Sequence, residues 1–169
     1  MKRNLVLTGM MGVGKSTIAN ALSKKLNLQL VDIDKIIEKK ELASIDKIFS
    51  NNGEDYFRKI EEKITLDELK KKNCVVALGG GAFINQNIRN FILKTCVSFW
   101  LDLSVEEVSN RVARSKKRPL LNDGNLSKNI KKIYKEREKI YSLASYKINC
   151  NNLEKKAVVN KIINLYDAK

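Results

Sequence analysis

The stretch that most narrows what this chain can fold into is Gly9-Met-Met-Gly-Val-Gly-Lys-Ser-Thr17, set between a short apolar run and an amphipathic one. Gly9, Gly14, Lys15 and Ser16 meet the pattern G-x-x-x-x-G-K-[ST]. Residues 5–7 read as a buried strand and 15–26 as a helix, the strand–loop–helix setting the motif requires. The glycines, Gly12 among them, leave the backbone free to turn its N–H groups inward. Backed by the positive end of a helix, those groups form a seat for phosphate oxygens, to which Gly12, Val13 and Gly14 contribute backbone. Lys15 would reach the outer phosphates, the Ser16 hydroxyl would ligate Mg²⁺, and Thr17 would lie beside the inner phosphates. The alternative, a glycine-rich turn that holds nothing, has the flanking strand and helix against it.

Apolar runs alternate with amphipathic stretches along the rest of the chain, which predicts an α/β fold with a parallel sheet. Strands are expected over 5–8, 29–32, 74–78, 97–101 and 146–149. Helices are expected over 15–26, as a pair within 34–50, and over 54–71, 87–94, 105–113, 127–143 and 153–166. The 169 residues are read as one domain, 1–169. Ser104 and Glu107 have capping-box spacing at the head of one helix. No apolar run approaches the ~20 residues of a membrane span. Met1-Lys2-Arg3-Asn4 runs straight into the first strand, so the expected setting is the cytoplasm. Cys74, Cys96 and Cys150 are far apart and lack C-x-x-C spacing, so buried thiols are expected rather than a disulfide or zinc site. The absence of histidine excludes imidazole chemistry. The net charge of +14 is compatible with a nucleic-acid partner. Its lysines, however, are spread along helices rather than gathered with aromatics, which favours a solvated surface that also draws in anionic ligands.

Ligands of open α/β sheets lie beyond the carboxyl ends of the strands, so the loops there hold the candidates. Asp32-Ile33-Asp34 closes the second strand, and residues two apart on a strand share a face. One carboxylate would hold the Mg²⁺ shell and the other would accept the proton of an attacking hydroxyl. Alternatively, Asp34 caps a helix that begins at Lys35. Arg58 lies one helical turn from both Glu54 and Glu61. These are either surface ion pairs worth tenths of a kcal/mol or carboxylates that steady a guanidinium for a substrate carboxylate. Gly79-Gly80-Gly81 makes either a tight turn or a bare backbone against which a ligand lies. No aspartate ends that run, so Asp32 is the stand-in for a Walker-B carboxylate. The basic segment 111–124 holds the single proline, Pro119, and reads as a lid over about 112–126 that brings Arg118 onto the transferring phosphoryl group, or else as a solvated or RNA-binding loop. Arg137, flanked by both signs of charge, reads on its own as part of a solvated helix face.

Taken together and in order, Gly-Met-Met-Gly-Val-Gly-Lys-Ser-Thr (9–17), Asp-Ile-Asp (32–34), Gly-Glu-x-x-Phe-Arg-x-x-Glu (53–61), Gly-Gly-Gly (79–81), Arg-Pro-Leu-Leu (118–121) and Arg-x-x-x-Tyr (137–141) resemble the shikimate kinases over essentially the whole chain. The resemblance implies a nucleoside-monophosphate-kinase-like, three-layer P-loop fold with five parallel strands, a substrate-binding region near 33–61 and a lid. It implies transfer of the ATP γ-phosphoryl group to the 3-hydroxyl of shikimate, in aromatic amino-acid biosynthesis. Carried over by motif, Asp34 contacts the ring hydroxyls and acts as base. Arg58 and Arg137 clamp the carboxylate, and Gly80 offers backbone to a hydroxyl. Asp32 and Ser16 form the Mg²⁺ shell, Lys15 and Arg118 stabilise the phosphates, and Arg111 is similar to an arginine stacked on adenine. The chain departs from the family at Asn149-Cys150-Asn151, where an Asp-Thr-like pair is usual. The partners expected are ATP and shikimate, bound by a monomer with no nucleic-acid or membrane partner. The rivals are another small-molecule kinase of this architecture, gluconate- or adenylate-kinase-like, and a non-catalytic RNA-binding P-loop module.

Overall fold

The computed structural model describes residues 3–114 and 126–168. Among these, five strands form one parallel sheet: β1 (Leu5–Thr8), β2 (Gln29–Asp32), β3 (Cys74–Ala77), β4 (Val97–Asp102) and β5 (Tyr146–Asn149), in the order β2-β3-β1-β4-β5. The helices between and after them are α1 (Lys15–Leu26), α2 (Ile33–Glu41), α3 (Ile45–Leu69), α4 (Gln86–Thr95), α5 (Val105–Arg114), α6 (Leu126–Tyr141) and α7 (Lys155–Asp167). β1 is central, with Leu5 paired to Val75 on one side and Val97 on the other. The inner strands are buried at every position, as continuous apolar runs in a covered parallel sheet must be. Right-handed crossovers send α1 to one face of the sheet and α3 and α4 to the other. The packing agrees, with α1 against α7 and α3 against α4. No helix among the described residues is long and apolar enough to cross a membrane.

The chain leaves β1 toward β2 but leaves β3 back across the sheet toward β4. The loops after β1 and β3 are therefore neighbours whose connections diverge, and a crevice opens between them. A buried asparagine anchors the opposite end of the sheet. Asn4 Nδ2 donates to the Leu69 and Lys71 carbonyls (3.3 and 2.6 Å), and its Oδ1 accepts from the Cys74 N–H (3.0 Å). This ties the end of α3 to the starts of β1 and β3.

Within α3, Gly53 (φ 81°, ψ 173°) is non-helical, so the element is two helical stretches meeting at a kink, as the separate helices expected before and after residue 53 require. Two details differ from the expected elements. The cap of α2 is Asp32, which accepts from the Lys35 N–H at 3.4 Å, so the helix begins at Ile33 and Asp34 already lies in its first turn. At the head of α5, Ser104 Oγ accepts from the Glu107 N–H (3.3 Å), but Glu107 does not return the bond. It pairs with Arg111 instead (3.1 Å), and the Ser104 N–H donates to Asn151 Oδ1 (2.9 Å).

Candidate active site

The glycine-rich loop wraps the amino end of α1. Gly9, with φ of 134°, passes so close to β4 that a Cβ there would lie 2.5 Å from the Leu101 carbonyl oxygen, and glycine alone fits. Lys15 folds back into the loop, its Nζ donating to the Gly9 and Met10 carbonyls at 2.9 Å each. Ser16 and Thr17 are exposed on the first turn of α1. Gly12 and Gly14 also take positive φ, and Val13 is buried beneath them.

Asp32 and Asp34 do not share a strand face as the sequence predicted. The chain turns helical at Ile33, so the two side chains part. Asp32 is 8% exposed. One of its oxygens caps α2, and Oδ2 is buried with no hydrogen-bond partner among the described residues. Asp34 lines a cleft of about 560 Å³ together with Arg58, Glu61, Gly80 and Arg137. Its Oδ1 lies 2.7 Å, and Glu61 Oε1 2.5 Å, from where a Cβ on Gly79 would stand. The two carboxylates thus crowd one bare backbone position.

Arg58 reaches the same turn from α3. Its Nη1 donates to Glu61 Oε2 at 2.6 Å, and its Nε and Nη2 donate to Glu54 Oε1 at 3.2 and 3.1 Å. Phe57 and Phe49 flank the guanidinium, with ring centroids 5.2 and 5.9 Å away. The guanidinium lies directly beneath Gly81, 2.6 Å from a would-be Cβ. Glu61 is only 2% exposed. Burial pushes its carboxyl above the usual range, and the Asp34 charge adds to this, while Arg58 and Arg137 pull it back. From α6, Arg137 Nη1 donates to the Gly80 carbonyl at 3.2 Å, and the buried Tyr141 hydroxyl donates to the same oxygen at 2.5 Å.

Arg111 stands between this cleft and a second hollow of about 680 Å³, which lies between the loops after β4 and β5. It donates to the Val13 carbonyl at 3.4 Å, tying α5 to the phosphate loop. Asn151 forms the far wall of that hollow, where Asn149 Oδ1 accepts from its backbone N–H (2.9 Å) and side-chain Nδ2 (2.8 Å). Arg118 and most of the expected lid lie outside the described residues; 112–114 belong to α5 and Leu126 to α6. Sequence reasoning missed the apolar wall of the cleft, Ile45, Phe49 and Ile133, and gave no task to Tyr141. In a sequence such residues are indistinguishable from the core positions of an amphipathic helix, and only the assembled cleft singles them out.

Fixed dipoles and a flexible ammonium on one side, with paired charges around bare backbone on the other, suit a reaction that needs positioning and charge stabilisation rather than covalent chemistry. Phosphoryl transfer is such a reaction, and on a parallel sheet of this order the class is the P-loop kinases, ATP-dependent phosphotransferases to a hydroxyl acceptor. The family model described as shikimate kinase matches residues 11–167. The chain is 38% identical over 161 residues to the shikimate kinase of Sulfurihydrogenibium sp., covering 95% of this chain and 96% of that protein. It is 39% identical over 164 residues to that of Bacillus subtilis, covering 96% and 88%. Among solved structures it superimposes on shikimate kinase from Acinetobacter baumannii in complex with shikimate with a TM-score of 0.94 and 32% identity, over 99% of this chain and 94% of that one. The chain belongs to the shikimate kinase family.

Proposed function

We propose that this chain, acting as a single domain, transfers the terminal phosphoryl group of ATP to the 3-hydroxyl of shikimate. The observation that carries the reading is the convergence of Asp34, Arg58, Arg137 and the 79–81 turn on one cleft whose wall includes Met11 and Gly12 of the phosphate loop. A small hydroxy-acid needs a carboxylate among its hydroxyls and guanidinium forks for its own carboxylate, and this cleft offers both. Asp34 takes the proton of the attacking hydroxyl, Arg58 and Arg137 hold the acid, and Gly80 lends its backbone.

Gly12, Val13, Gly14, Lys15, Ser16 and Thr17 seat the phosphates, and Arg111 packs on the base. Lys15 exchanges the neutral carbonyls of Gly9 and Met10 for phosphate oxygens, which are the stronger acceptors because they are charged. Arg118 completes the charge stabilisation. Mg²⁺ fits the residues present: Oδ2 of Asp32, buried and unpartnered among the described residues, needs a cationic or water partner, and the Ser16 hydroxyl is exposed on the first turn of α1. When bound, the ion neutralises phosphate charge.

The remaining parts of the reading are a monomer in the cytoplasm that takes no nucleic acid. Three free, buried cysteines suit a reducing compartment such as the cytoplasm. The test is ADP formation measured side by side with shikimate, gluconate and AMP as acceptors. Shikimate is expected to be preferred by orders of magnitude, and preference for either rival would overturn the proposal.

A further inference from the structure

Tyr141 ends α6 one helical turn beyond Arg137. It is fully buried, and its ring packs 6.0 Å, centroid to centroid, from that of Trp100. Nothing in the proposed chemistry uses it. Its hydroxyl nevertheless meets two loops at once: it donates to the Gly80 carbonyl at 2.5 Å and lies 4.0 Å from Met10 Sδ in the phosphate loop. Gly80 is itself pressed on that loop, since a Cβ there would lie 3.3 Å from the Met11 backbone nitrogen. Arg137 is the second donor to the Gly80 carbonyl. As a candidate clamp on the substrate carboxylate, however, it has a competing task, whereas the buried phenol has none. Burial also raises the phenol's pKa, against the pull of Arg137 and Arg58, so it stays a donor across the working pH range.

A peptide unit is planar, so fixing the Gly80 carbonyl also fixes the N–H of Gly81, and both glycines line the acceptor cleft. Glycines resist displacement less than other residues, and a three-glycine turn needs an outside tether to hold one conformation. We infer that Tyr141 is a positioning residue for the acceptor: its hydroxyl holds the Gly80–Gly81 peptide plane in register with the phosphate loop. The inference rests on the reading of the 79–81 turn as the acceptor seat.

The test is Tyr141→Phe in the full chain, which keeps the buried ring and removes only the donor. The KM for shikimate is expected to rise about fivefold, the worth of a typical buried hydrogen bond. The KM for ATP should stay within about twofold of the wild type. A purely structural role would lower the melting temperature and the active fraction without moving one KM apart from the other. Replacement of Tyr141 by 4-aminophenylalanine restores a donor at the same place and is expected to return the shikimate KM to within about twofold of the wild type. It also provides the decisive variant should Tyr141→Phe fail to fold. An unchanged shikimate KM in the Phe variant, or equal rises in both KM values, or no recovery with the amino analogue, would each overturn the inference while leaving the proposed function standing. A wild-type chain inert toward shikimate would overturn the proposed function and this inference with it.

Discussion

Gly79→Ala adds one methyl group at the point where the two acidic side chains of the cleft meet. The backbone tolerates it, because Gly79 does not occupy the left-handed region that excludes side chains. The side chains do not. The new Cβ would stand 2.5 Å from Glu61 Oε1 and 2.7 Å from Asp34 Oδ1. Reaching the 3.4 Å of ordinary contact needs a retreat of ~0.9 Å by Glu61 and ~0.7 Å by Asp34 in a close-packed surround. Glu61 has little freedom to move, because Arg58 holds it at 2.6 Å and Arg58 is held in turn by Glu54. Most of the displacement therefore falls on Asp34, the group proposed to face the acceptor hydroxyl. Misplacing a reacting group by nearly 1 Å costs about 10²-fold in rate. Coupled measurement of ADP release should show kcat/KM for shikimate down by about that factor. The KM for ATP should be unchanged, since the phosphate loop is untouched. The melting temperature should shift by only a few degrees, because the smaller unfolded-state entropy of alanine offsets part of the strain. A variant whose shikimate kinetics stay within about threefold of the wild type would refute the argument, and with it the idea that this glycine sets the spacing of the two carboxylates.

Asp34→Asn should lower kcat by at least about 10²-fold while leaving ATP affinity intact, read by single-turnover kinetics and calorimetric nucleotide titration; an undiminished kcat would remove Asp34 as the base. Glu61 carries a pH signature. Because burial raises its folded-state pKa above the unfolded value near 4.5, the stability tied to its protonated form is complete below that value and is lost as pH rises through the folded-state pKa. Subtracting melting curves of Glu61→Gln from those of the wild type should therefore leave a difference that declines with rising pH above about 4.5, and a flat difference would mean that the carboxyl titrates normally. Leu42 caps α2 in the left-handed conformation (φ 52°) and is 92% exposed. Leu42→Gly should raise the melting temperature by about 2–4 °C, the equivalent of ~1 kcal/mol in a chain of this size, with turnover unchanged; a drop in melting temperature would show that the leucine has a packing role.

Two kinds of information shape this chain, one local in the sequence and one that exists only once the chain is packed. Where the signal is local, the sequence was sufficient. Strands β1, β2 and β5 and helix α1 begin and end where periodicity and glycine placement put them. The pairing of Arg58 with Glu54 and Glu61 follows from helical spacing alone. The local signal failed where two local preferences compete. Asp32 and Asp34 are both acceptable caps, and the choice fell to Asp32 because Ile33 and Ile37 must face the core, where both are completely buried. At Gly53 no such competition arises: its φ of 81° and ψ of 173° leave the helical region, and the helical stretches on either side meet there at a kink, as the glycine's place in the sequence implies.

The site belongs almost wholly to the second kind. The motifs could be listed from the chain, but not the contacts between them. Arg137 and Tyr141 meet the Gly80 carbonyl across 57 and 61 residues, and Arg111 meets Val13 across 98. No periodicity encodes such pairings, because they depend on strand order: β3 pairs directly with β1, so the turn at 79–81 lies against the phosphate loop. The sequence by itself determined the kind of chemistry, since a glycine-rich loop followed by lysine and serine makes an anion seat wherever a strand and helix flank it. Only the tertiary structure decided what that seat faces, because burying the apolar faces of the strands is what carries Asp34, Glu61, Arg58 and Arg137 to one cleft.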